Sequence, residues 1–370
     1  TGFAHLFEHL MFGGSVNIPE FDSPLQTVGG QNNAFTSNDI TNYYITLPKQ
    51  NIETGLWLES DRMLSLAFTP ESLEVQRSVV IEEFKQRYLN QPYGDVWLLF
   101  RPLIYKTHPY KWATIGKEIK HIEEATMEDV KAFFHKHYTP QNAILSIAGD
   151  VNPDEIYELV KKWYSDIPAG NKYERNLPKE KPQTEAQFLE AKRNVPQNAI
   201  YKAWHICDRL HPDYYAYDLL SDVLSRGNSS RLYQELVKGK ALFTEIGAYQ
   251  MGSMEEGLFV ISGKVKNGID MKTADEAIQD CLEEIKTDLV DDNELIKVKN
   301  KVESTDTFTH MNALNKAMRV GYFELLGDAN LCNQEMKSYE KVTSEDLRKV
   351  ANKSLISTNC STLYYLSDSN

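Results

Sequence analysis

Cysteine is scarce: the 370 residues hold four, Cys207, Cys281, Cys332 and Cys360, all in the second half. Their intervals are not those of a thiolate zinc site, so free, buried thiols are expected rather than a disulfide framework. Long apolar runs are also missing. Nothing approaches the roughly 18 consecutive apolar residues of a membrane-crossing helix, and no span is expected in this segment. A secretory leader is lacking too. The chain opens at Thr1-Gly2-Phe3-Ala4-His5 without a Met, and reads as a segment of a longer protein whose targeting sequence would lie outside it. Basic residues are outnumbered, 40 Lys and Arg against 53 Asp and Glu, for a net charge of −13. Phosphate binding needs a concentrated cationic patch, so nucleic acid is not an expected partner.

What is present is ordinary globular material, 41% hydrophobic and 25% charged. A chain of this length exceeds one common core, which favours two domains. Phe3 to Phe12 reads as a buried helix stopped by Gly13-Gly14-Ser15. After a loop to Gly30, strand formers from Asn33 to Leu47 are divided by Ser37-Asn38-Asp39, as in a hairpin. Helices follow over about Ile52–Leu66 and from Thr69-Pro70-Glu71, a Thr cap with Pro at the first helical position, to about Leu89. Further helices are expected over Tyr93–Leu103, over Thr126–His137 with Asp129 completing a capping pattern, and over Asp154–Trp163. Ala143 to Ala148 (Ala-Ile-Leu-Ser-Ile-Ala) predicts a fully buried strand.

Pro168, Gly170, Pro178 and Pro182, with charges and no apolar period, mark residues 168–187 as a linker. Beyond it the order partly repeats. Strands are expected over Ala199–His205, Glu256–Val265 and Cys360–Leu366. Helices are expected over Tyr214–Leu224, Ser229–Val237, Met271–Asp288, Thr343–Ser354 and one long stretch, Glu294–Leu326. The reading is α+β: two related domains, 1–167 and 188–370, each a mostly antiparallel sheet packed with helices.

His5-Leu6-Phe7-Glu8-His9 carries the chemistry. Histidines four apart share one helix face, and both imidazoles can reach one Zn²⁺ at about 2.0–2.1 Å. Glu8 can stand beside the metal without ligating it, take a proton from bound water and return it to the leaving amine. His-x-x-Glu-His is identified as the inverzincin signature. A third ligand should come from a carboxylate on another helix. Glu83 is the candidate, two turns from Gln76 on one face with Val80 between them, while Glu82 points to the solvated side.

Gly2 to Phe12, Asn33-Ala34-Phe35-Thr36 with Asp39 and Thr41-Asn42-Tyr43-Tyr44, Gln76 to Glu83, and Ser229-Ser230-Arg231-Leu232-Tyr233-Gln234-Glu235 together resemble the pitrilysin and insulinase superfamily of zinc metallopeptidases. The processing-peptidase branch is the nearest in pattern. The resemblance spans essentially the whole chain, short of the family's opening strands, and implies the metalloenzyme LuxS/processing-peptidase-like fold. It implies one zinc per chain on His5, His9 and Glu83, with Glu8 as base. It also implies a substrate strand at Asn33, Ala34, Phe35 and Thr36, where an extended peptide adds by backbone hydrogen bonds. Where the family carries an orienting Glu seven residues before the distal ligand, this chain has Gln76, which bonds without charge.

A second departure lies beyond Glu235. The family's Arg and Tyr, seven apart, hold the substrate carbonyl; here those places fall on Val237 and Thr244. The resemblance then implies a homologous partner subunit supplying Arg and Tyr, or a homodimer, acting on short or unfolded peptides. The rival reading is a non-catalytic structural or assembly subunit on the same fold.

Overall fold

Two sheets of unequal size organise the chain, and the helices sort between them by which apolar face each can cover. The computed structural model describes residues 1–368. Two units result: Thr1–Gln91, Trp112–Leu177 and His310–Ala329 form the first, and Pro92–Lys111, Pro178–Thr309 and Asn330–Asn370 the second. They are not contiguous in sequence. The Val96–Ile104 helix, early in the chain, carries Val96, Phe100 and Ile104 into a core of the second unit, and the late Ala313–Leu325 helix belongs to the first. Residues 168–184 carry neither helix nor strand. No helix among the described residues is long and apolar enough to cross a membrane.

In the first unit, β1 (Gln31–Thr36) and β2 (Thr41–Thr46) form an antiparallel hairpin in which Asn33 faces Tyr44 and Thr36 faces Thr41. The Phe3–Leu10 helix is eight residues long and would not persist alone; packing holds it. Leu6 and Phe7 are wholly buried, and the Phe7 ring lies 4.9 Å from Phe133 and 5.0 Å from Tyr138. Gly2 opens it at φ 86°, where a β-carbon would sit 2.5 Å from the Ile115 carbonyl oxygen, so glycine is needed there twice over. The Met127–His137 helix starts from a reciprocal capping box between Thr126 and Asp129.

The second unit is built on a five-stranded sheet of β3 (Gln187–Arg193), β4 (Ala199–His205), β5 (Phe243–Met251), β6 (Leu258–Val265) and β7 (Cys360–Ser367), in the order β3-β7-β4-β6-β5. Only β3 and β7 run parallel. Both faces are covered. Along β4, Ile200 and Trp204 enter one core with Ile278 and Leu282 of the Met271–Thr287 helix, while Ala199 and Ala203 enter the other with Phe100. Such two-sided burial explains why the strand reads as apolar with so little alternation. Lys202 on β4 is buried, and its ammonium is matched by Asp275 at 2.6 Å.

Several expectations are corrected. Residues 143–148 form no strand, and Ile144 and Leu145 are 44% and 49% exposed. A strand is completed by its ladder, and none runs beside this segment among the described residues. The Glu294–Leu326 stretch is two helices, Asp292–Thr309 and Ala313–Leu325, because the Asn312 side chain caps the second by accepting from Leu314 N at 2.8 Å. A short helix, Asp22–Thr27, lies in the expected loop, and β3 and β5 were not anticipated. None of the four cysteines forms a disulfide, and only Cys281 and Cys360 are buried.

Candidate metal centre

The local sequence sets the donors before the fold brings them together. On the Phe3–Leu10 helix, Leu6, Phe7 and Leu10 are buried, and this anchorage fixes the opposite face that carries His5 and His9. Their rings stand 4.8 Å apart at 75°. Across from them runs the Pro70–Phe84 helix, whose Thr69 cap accepts from Ser72 N at 3.1 Å, a contact worth about 1 kcal/mol. Leu73, Val80 and Phe84 pin that helix inward, which turns Glu83 toward the histidines. Glu82 turns away to Lys85, with its side chain 59% exposed against 17% for Glu83.

Glu83 Oε2 lies 3.5 Å from His5 Nε2 and 3.3 Å from His9 Nε2. Donors bound to one tetrahedral zinc at about 2.0–2.2 Å stand roughly 3.3 Å apart, so these separations match the edge of such a polyhedron. The three side chains form the group among the described residues that could hold a metal ion, each offering one atom within 4.8 Å of the others. Burial foremost lowers the His5 pKa, against the opposing pull of Glu83, and favours the neutral ring a metal needs. The Glu83 carboxyl is held below its usual range, first by the His9 hydrogen bond and then by the charges around it, against desolvation. Two imidazole nitrogens and one carboxylate oxygen are a donor set that fits a catalytic zinc. One brace is missing: His5 Nδ1 is buried and makes no hydrogen bond.

The remaining candidates sort around this triad. Glu8 lies close enough to be among the charges acting on His5, and one of its oxygens accepts from the Thr36 hydroxyl at 2.5 Å. Asn33, Ala34, Phe35 and Thr36 lie on β1, which pairs with β2 alone among the described residues. Gln76 is half-buried and makes no side-chain hydrogen bond there. The outer oxygen of Glu83 instead meets Arg87 at 2.9 Å. Arg87 was missed in the sequence, although its i,i+4 spacing from Glu83 was a usable signal. The contact between Thr36 and Glu8 had no such signal, since 28 residues separate them.

Residues 1–93 match the profile of insulinase, peptidase family M16, and residues 124–302 that of the peptidase M16 inactive domain. The zinc protease PqqE of Helicobacter pylori is 28% identical over 98% of this chain and 83% of its own. A protease from Helicobacter pylori of known structure superposes with a TM-score of 0.92, at 29% identity, over 99% of this chain and 89% of that one. The chain belongs to peptidase family M16.

In this M16 chain the candidate metal donors lie in the first unit, and the Ser229–Glu235 segment of the second unit is used for packing. Arg231 pairs with Glu294 at 2.8 Å, and Ser230 is fully buried, so this part of Ser229–Glu235 serves packing. Val237 is packed against the apolar core. Thr244 is the second residue of β5, and its hydroxyl donates to the Gln197 side-chain oxygen at 3.2 Å. Neither side chain offers an M16 peptidase the long cationic or phenolic donor that would hold a substrate carbonyl. The periplasmic protease PqqL of Escherichia coli shares the fold at a TM-score of 0.77 and 17% identity, and this chain covers 43% of it.

Proposed function

We propose that this chain is the zinc-bearing subunit of a two-subunit metalloendopeptidase that hydrolyses short or unfolded peptides. The observation that carries the reading is the convergence of His5 Nε2, His9 Nε2 and Glu83 Oε2 at donor spacings of 3.3–3.5 Å, with Glu8 beside them. His5, His9 and Glu83 would hold one zinc ion. Zinc, when bound, supplies Lewis acidity that polarises the scissile carbonyl and eases deprotonation of water. Glu8 takes the proton of the attacking water and delivers it to the leaving amine. Asn33, Ala34, Phe35 and Thr36 receive the substrate in extended form along the outer edge of β1, through backbone groups that read no side chain.

Requirement for a partner follows from Val237 and Thr244. A homologous subunit supplies the Arg and Tyr that stabilise the developing oxyanion, an effect of about 100–1000-fold; a homodimer is the alternative pairing, and its oxyanion donors would have to be other side chains, since each copy carries Val237 and Thr244. That PqqL carries this fold within less than half of a longer chain supports pairing of such units. A second reading, a non-catalytic subunit, is favoured by the same two residues and by the match of residues 124–302 to a domain described as inactive. Peptide cleavage by the chain alone and with its homologous partner separates the two. The proposal expects slow turnover alone, a rise of at least about 100-fold with partner, and loss in Glu8→Gln. Fast turnover by the monomer rejects the partner; no turnover in any mixture rejects the peptidase.

A further inference from the structure

Thr36 closes β1, and its hydroxyl lies 2.5 Å from Glu8 Oε2. Thr41, directly across the hairpin in register, places its own hydroxyl 3.2 Å from that of Thr36. In that contact the hydroxyl donates and the Glu8 oxygen accepts. With its one proton committed, the Thr36 oxygen accepts from Thr41. Both hydrogen bonds therefore have a fixed direction, from Thr41 to Thr36 to Glu8. The other carboxylate oxygen, Oε1, makes no hydrogen bond among the described residues.

We propose that Thr36 is a positioning residue, which fixes the rotation of the Glu8 carboxylate and leaves Oε1 as the atom that exchanges a proton with the reacting water. The inference rests on the reading of Glu8 as base and assigns a task within it. The terminal torsion of a glutamate is broad, so an untethered carboxylate spends much of its time turned from any one direction. A donor to an ionised group makes a strong, short hydrogen bond that narrows that range. The anchor is itself rigid: a β-branched residue in a strand has little χ1 freedom, and Thr41 holds the hydroxyl from behind. The strand thought to receive substrate thus also orients the base, so that binding surface and proton acceptor are held by the same hairpin. Nothing in the backbone of β1 depends on the Thr36 hydroxyl, and a change confined to that oxygen leaves the strand edge intact.

The test is Thr36→Val, which keeps the branched shape, and Thr36→Ser, which keeps the hydroxyl, each assayed with the homologous partner. Thr36→Val is expected to lower kcat by about 10–100-fold with KM and bound zinc unchanged, since misplacing a reacting group by a fraction of its reach has effects of that order. Thr36→Ser is expected to recover kcat to within a few-fold. A second readout uses the metal-free chain: a double-mutant cycle of Thr36→Val and Glu8→Ala on the denaturation midpoint should be non-additive. Additive midpoints overturn the contact itself. Coupled midpoints with an unchanged kcat, or a rise in KM alone, overturn the positioning role while leaving Glu8 as base. A parent enzyme that cleaves nothing fails the underlying reading, and this assignment with it, even where the midpoints are coupled.

Discussion

The two units divide the molecule's labour unequally. The first has only a two-stranded hairpin among its helices, yet it gathers two imidazoles and two carboxylates around one point. The second has the larger sheet, covered on both faces, and several of its polar side chains pair with one another: Lys202 and Tyr364 with Asp275, Arg231 with Glu294. Where the M16 pattern leads one to look for an Arg and a Tyr in that unit, Val237 faces a core and Thr244 an amide. The contrast teaches that two units of one chain can divide chemistry and scaffold between them. Once one unit supplies the reacting groups, the other is free to become scaffold or to leave its share to a partner.

The largest test of that division is Glu8→Gln, which should cut cleavage by roughly 100- to 10,000-fold while zinc content stays unchanged. Cleavage at the parent rate would remove the first unit's claim to the proton transfer. Grafting the missing pair back, as V237R with T244Y, is expected to raise turnover of the chain alone by about 100-fold or more if the second unit needs only those side chains. A folded double variant without gain would show that the donors must enter from a partner surface. Val237 is half-buried, so its replacement must reach solvent along its own aliphatic stem. Glu83→Ala should weaken zinc binding by on the order of 100-fold or more, and Glu82→Ala should leave it as it was; equal effects would blur the distinction between the two neighbours.

The smallest effect concerns stability in the second unit. Burial pushes the Asp222 carboxyl up to about 6, despite Arg226 at 3.2 Å. A folded pKa above the unfolded one gives stability that is full below about 4 and is lost as pH rises through about 6. Asp222→Asn is therefore expected to be more stable than the parent at pH 7, by about 1–3 kcal/mol, with the gap closing by about pH 4. Thermal midpoints across that range check it, and zinc uptake should not change. A variant less stable than the parent at neutral pH would mean that the Arg226 contact outweighs the desolvation.

Legibility in the sequence followed the reach of the interactions. His5 and His9 were readable because helical pitch alone stacks them, and the Thr69-Pro70 and Thr126–Asp129 starts because caps are local. Glu83 needed both the helix face and the family pattern. The strand expected over 143–148 failed since an apolar run states only that burial is favourable, whereas pairing requires a neighbour. Strands β3 and β5 were missed for the converse reason: their polar residues hide elements that their neighbours define. The break at Asn312 was written in the sequence as a capping residue, but helical propensity on either side masked it. Thr36 was read for the strand edge; that its hydroxyl turns to Glu8 depends on how hairpin and helix pack.

The most direct measurement of the central claim is zinc-edge X-ray absorption on the purified chain. The account predicts one zinc per chain, with two imidazoles in a shell of nitrogen and oxygen at about 2.0–2.2 Å, lost in Glu83→Ala. A chain that takes up no zinc, a shell containing sulfur at about 2.3 Å, or a spectrum indifferent to residue 83 would contradict it.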